Sequence, residues 1–101
     1  MDRQEKLKEF IAADPTDFFS RHALAMEYIK EGKEEDARIL LESIITENPF
    51  YVGSYYHLGK LYERTGKTAL AETIYQKGIE ACKRVNDRHA LSELTSALDL
   101  L

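Results

Sequence analysis

His22, His57, Cys82 and the pair Tyr56–Lys60 are the side chains here whose types and spacing invite chemistry. Two imidazoles from neighbouring helices would begin a metal site. Neither has a cysteine or carboxylate at the fixed spacing that zinc coordination uses, so the pair predicts no metal. Cys82 is followed by Lys83 and Arg84, whose charges would favour a thiolate. Successive residues on a helix point apart, so the expectation is a structural, half-buried thiol. His89 reads as surface. No G-x-x-x-x-G-K-S/T loop and no H-E-x-x-H appear in the sequence. With no nucleophile, base and orienter assembled, the reading is of a protein that is not an enzyme and takes no cofactor. Tyr56 and Lys60, one helical turn apart, offer recognition instead.

The segments that carry these residues repeat. Thirty-four residues separate Pro15 from Pro49, and the residues trailing each proline match in kind at that offset. Asp14-Pro15 answers to Asn48-Pro49, Leu24 to Leu58, Ala25 to Gly59 and Tyr28 to Tyr62. Gly32-Lys33 answers to Gly66-Lys67, Ala37 to Ala71, Leu41 to Tyr75 and Ile45 to Ile79. A period of this length marks stacked helical hairpins.

Helical spacing predicts six helices. The first covers Arg3 to Ala13 with Leu7, Phe10 and Ile11 on one face, and Asp14-Pro15 ends it, since a residue before proline leaves helical geometry. The second starts near Asp17 as N-cap, with Leu24, Ala25 and Tyr28 inward and Gly32 closing it. The third, Glu34 to Glu47, turns Ala37, Leu41, Ile44 and Ile45 inward. Tyr51 to Arg64 is the fourth, with Tyr55, Leu58, Gly59 and Tyr62 inward. Thr68 to Arg84 is the fifth, with Ala71, Ile74, Tyr75 and Ile79 inward. Asn86-Asp87 breaks the chain, and a sixth helix capped by Asp87 runs to the end with Ala90, Leu91, Leu94, Leu98 and Leu101 in one stripe. No segment alternates like a strand, so the fold class is all-α. The small residues Ala25, Gly59, Ala37 and Ala71 are expected where helices press closest.

Composition sets the outer bounds. The chain has 101 residues, enough for one domain, with 44% hydrophobic and 32% charged residues. A net charge of -4 argues against a nucleic-acid partner. The cluster Glu31, Glu34, Glu35 and Asp36 reads as a solvated helix start. No run approaches the ~18 apolar residues of a membrane span. A charged start and a lone cysteine fit the cytoplasm, which is the expected location.

These residues resemble the tetratricopeptide repeat family, whose unit reads aromatic-x2-Leu-Gly/Ala-x2-Tyr, then alanine, a large residue and proline. Tyr55, Leu58, Gly59, Tyr62, Ala71 and Tyr75 fit it well. The first copy is looser, with Arg21 in place of the aromatic, Leu41 in place of the second aromatic and Ile44 where a small residue is common. The resemblance implies a tetratricopeptide-like α-solenoid. Its N-terminal helix would span 3–13, its repeats 15–48 and 49–82, and its capping helix 87–101. His89, Ser92, Glu93 and Ser96 stand where the last helix should carry marker residues, which makes it a polar-backed cap.

The resemblance also implies a concave groove lined by the first helix of each hairpin, in which a segment of another protein binds. Carried over by position, the groove residues are Phe19, His22, Met26, Tyr56, His57, Lys60 and Arg64. Phe19 and Met26 have an alternative as core against the N-terminal helix. The groove's apolar, aromatic and basic mix suits a ligand with an apolar anchor and an acidic group. The family's subclass that grips chaperone tails needs lysine and asparagine donors, where this chain has His22, Met26, His57, Asp87 and Leu91, so that partner is not expected. The other reading is a homodimer formed through the leucine-rich segment from Leu91 to Leu101.

Overall fold

Local sequence rules account for most of the helix ends in the computed structural model, which describes residues 2–101. The helices are α1 (Arg3–Ala13), α2 (Phe18–Lys30), α3 (Glu34–Glu47), α4 (Gly53–Arg64), α5 (Thr68–Val85) and α6 (Arg88–Asp99). Asp2, Asp17 and Asp87 each accept a hydrogen bond from a first-turn amide of α1, α2 and α6. Asp14 and Asn48, each before a proline, lie at ψ 97° and 82° and so leave the helix. Gly32 and Gly66 take φ of +76° and +77°, the left-handed turn between the two helices of each hairpin. Asn86 makes the same turn at φ 60°, where the α5 cap returns amide hydrogen bonds to Cys82 and Lys83.

Each helix packs against the next, and α4 also touches α6. The molecule measures 41 × 29 × 19 Å, and the short dimension is about two helix diameters, as a stack of hairpins requires. The main core joins Ala25, Ala37, Leu41 and Ile44 to Tyr55, Leu58, Tyr75 and Leu94, while Leu7, Ala23 and Leu24 form a smaller cluster under α1. The fold is all-α.

Four expectations need correction. Phe10 is 51% exposed, not part of the inward face with Leu7 and Ile11. Its helix packs chiefly on α2, so only a narrow stripe of α1 is covered. The fourth helix starts at Gly53 rather than Tyr51, because the chain after Pro49 first makes a turn in which the Tyr51 amide donates to the Asn48 carbonyl. The sixth stops at Asp99, and its closing bond runs from the Leu101 amide to Leu98, three residues back. Leu101 is therefore exposed, and Ala97 takes the buried place. Finally, Cys82 is fully buried rather than half-buried, and burial pushes its thiol up, opposite to what Lys83 and Arg84 would do.

Backbone approach explains two glycines. A Cβ on Gly59 would sit 2.1 Å from Cε1 of Tyr75, so the Tyr75 ring lies directly on the α4 backbone. A Cβ on Gly78 would meet Tyr55 Cβ at 2.7 Å and Leu94 Cδ1 at 2.8 Å, which lets α4, α5 and α6 close at one point. Gly78 falls 34 residues after Ile44, the place where the first hairpin keeps a large side chain.

Candidate functional site

The groove face is built by α2, α4 and α6, and a chain of aromatic contacts runs across it. His22 on α2 shares a 2.9 Å hydrogen bond between its Nδ1 and the Ser54 hydroxyl. Its ring stacks at an angle on Tyr51, 5.7 Å between centroids, and edge-on to His57 at 5.4 Å. His57 meets Tyr56 edge-on at 5.4 Å, and the Lys60 ammonium lies 5.5 Å from the Tyr56 ring centre. Lys60 also pairs with Glu63 at 3.5 Å.

Beyond Tyr56 and Lys60 a cleft of about 330 Å³ opens against α6, lined by His89, Ser92, Glu93, Ser96, Ala97 and Leu100. A second hollow of about 340 Å³ lies beside His22, walled by the 50–53 segment. Burial, then the neighbouring His57, lowers the His22 pKa to about 4. Burial also lowers His57, partly offset by Glu93. Both rings are therefore neutral at neutral pH, able to donate from one nitrogen and accept at the other. The groove offers hydroxyls, neutral imidazoles, aromatic edges and one ammonium. These groups can recognise a ligand, and the one hydroxyl–imidazole pair, Ser54 with His22, has its serine fully buried, out of a ligand's reach.

Of the seven residues carried over by position, the structure brings four into one continuous contact path: His22, Tyr56, His57 and Lys60. Phe19 stands apart at 70% exposure. Met26 is half-buried and packs on the main core rather than against the N-terminal helix. Arg64 pairs with Glu34 of α3 at 3.7 Å, although its charge still bears on His57.

Sequence reasoning misses Ser54, Tyr51 and the contribution of α6. Ser54 is completely buried under His22, and it falls one period after Ser20, also buried, so a signal exists in the repeated serine. Tyr51 belongs to the turn that feeds the groove, not to the helix expected there. Ser92 and Ser96 stand out in the sequence only as departures from the repeat pattern, and nothing in their spacing marks them as lining.

Among the described residues, no three His, Cys, Asp or Glu side chains gather as a metal would need. No helix among them is long and apolar enough to cross a membrane.

The profile of a tetratricopeptide repeat family matches residues 52–84. The crystal structure of a tetratricopeptide repeat domain protein from Salinibacter ruber is similar at 44% identity and TM-score 0.79, over 81% of this chain and 91% of that one. A solution structure of a tetratricopeptide repeat domain protein from the same organism matches at 45% identity and TM-score 0.80, over 84% of this chain and 86% of that one. A Bordetella parapertussis protein shares the fold at 22% identity and TM-score 0.80, over 98% of this chain and 86% of that one. A comparison with curated proteins finds no match.

Proposed function

The chain belongs to the tetratricopeptide repeat family, whose domains are in general protein-interaction modules, and on that premise we propose that its α2–α4–α6 face binds a segment of another protein. Residues 15–48 and 49–82 act as its two repeats, with the 3–13 helix and the 87–101 segment closing the ends. The observation that carries this reading is the cleft between α4 and α6, where the Tyr56 ring, the Lys60 ammonium and the apolar Leu100 meet in one hollow. A ligand segment placing an apolar side chain against Tyr56 and Leu100 brings a carboxylate within reach of Lys60. The neutral imidazoles of His22 and His57 extend the hydrogen-bonding surface toward α2.

Tyr56 is half-buried against the main core. Tyr56→Ala therefore lowers stability by about 1–2 kcal/mol, through lost burial. Lys60→Glu removes the cation with no core cost, so the two variants separate binding from folding. Lys60→Glu is expected to weaken partner capture in a pull-down about tenfold or more while lowering stability by less than Tyr56→Ala does, about 0.5 kcal/mol through like charge beside Glu63. Undiminished capture by both variants removes this face from the account.

A second reading, self-association, is favoured by one feature: Leu100 is 83% exposed and Leu101 lies beside it beyond α6. Light scattering across a concentration series decides it, since Leu100→Ser returns a dimer to monomer. A monomer at every concentration excludes this second reading.

A further inference from the structure

We propose that the trough between α3 and α5, which shares no residue with the α4–α6 cleft, docks an amphipathic helix whose apolar stripe is flanked by carboxylates. Two adjoining hollows, of about 410 and 280 Å³, share Ile45, Thr46 and Lys77 and so form one channel. Its α5 wall is Leu70, Ile74, Lys77, Ala81 and Arg84, spaced four, three, four and three residues apart. That stripe keeps to one side of the helix for about 21 Å, or roughly four turns. A helical partner has ridges of the same spacing, and no strand edge is present among the described residues to take an extended one.

The apolar content is concentrated where such a stripe would rest. Ile74 and Ala81 form the floor, Ile45 is half-buried along the opposite wall, and Leu70 and Phe50, each about half exposed, stand at the two ends. Charge then selects the partner. Glu42 is engaged by Arg38 and by the Tyr62 hydroxyl, and Glu80 pairs with Lys83 at 3.6 Å. Among the described residues Lys77 and Arg84 have no ion-pair partner, so the uncommitted charge of the trough is positive. Two cations, two turns apart and bordering an apolar floor, complement carboxylates at the same interval on a partner helix. Ala81 between them keeps the floor low enough for a branched side chain to enter.

The test uses a fluorescently labelled synthetic helix of about four turns, with leucines along one stripe and glutamates on both flanks. Its control carries lysines for the glutamates. The glutamate peptide is expected to shift the amide resonances of Phe50, Lys77, Ala81 and Arg84 in the intact protein. Lys77→Glu with Arg84→Glu should weaken it about tenfold or more and raise affinity for the lysine peptide, because both side chains are on the open rim. Lys60→Glu should leave the glutamate peptide unaffected, which separates this trough from the groove. Shifts centred on Tyr56, His57 and Lys60, equal binding of both peptides, or no binding at millimolar peptide overturn the proposal. So does a concentration-dependent dimer whose shifted residues are those of the trough, since a second copy is then the occupant.

Discussion

The two hairpins, α2–α3 and α4–α5, have the same topology and the same turn glycines but divide the space between their helices differently. Where the second sets Gly59 beneath Tyr75, the first has Ala25 and Leu41 at the equivalent places, so a smaller backbone position accompanies a larger ring. Where the second sets Tyr55 against Gly78, the first has Arg21 and Ile44. Tyr55 is tied by its hydroxyl, which donates to the Pro49 carbonyl at 2.7 Å. Arg21 is buried and donates from both terminal nitrogens to Glu47, at 2.8 and 3.1 Å, with its guanidinium 5.2 Å from the Phe18 ring centre. An aromatic anchored by one neutral hydrogen bond and a guanidinium held by a carboxylate fork thus fill the same structural place. The lesson is that the repeat specifies paired volumes and satisfied polar tips rather than particular residues.

If volume pairing is what matters, altering one member of a pair should be repaired by altering the other. Gly59→Ala puts a methyl where the Tyr75 ring now is, and the ring is held by burial and by its hydroxyl donating to Glu63. The expected loss is about 3 kcal/mol, the upper end of ordinary overpacking. Gly59→Ala with Tyr75→Leu rebuilds the Ala25–Leu41 pairing of the first hairpin in the second. Urea unfolding should find the double variant more stable than the sum of the single changes by about 1 kcal/mol or more. Strict additivity would show that the two hairpins do not share this rule.

This pairing also marks how far sequence alone reaches. Pro15, Pro49, Gly32 and Gly66 act through the local backbone, so the period, turns and caps could be read from order in the chain. Gly78 acts through Tyr55 and Leu94, which lie on two other helices, and only their arrangement in space reveals why it is small. Phe10 lies on α1 away from the α2 contact, and Leu101 lies beyond the last turn of α6, so the helical period decides the exposure of neither. At the groove, position within the repeat gave His22, Tyr56, His57 and Lys60 as neighbours. It gave no account of Arg64, because an ion pair with Glu34 depends on side-chain reach between helices. Nor could it show Ser54 beneath His22.

The groove face extends the comparison with a smaller effect, since His22 and His57 are not equivalent. One period on from His22 stands Tyr56, and one period back from His57 stands Ala23, so the imidazoles meet from non-equivalent positions of α2 and α4 across the junction of the hairpins. Facing His22 are Tyr51, Ser54 and His57, and Glu93 and Arg64 bear on His57. With the folded pKa of His22 lowered to about 4, the unfolded chain binds its proton first. The neutral ring's contribution is fully present above about pH 6.5 and is lost as pH falls toward about 4. Asp14, Glu35 and Glu47, whose pKa values are lowered by hydrogen bonds from Thr16, Arg38 and Arg21, act in the same direction in a more acidic window. His22→Gln with His57→Gln should therefore flatten the decline in the urea midpoint between about pH 6.5 and 4.5, leaving the drop below that range intact. A decline of the same steepness in the variant assigns the pH dependence to the carboxylates and leaves the two imidazoles at the hairpin junction without a part in it.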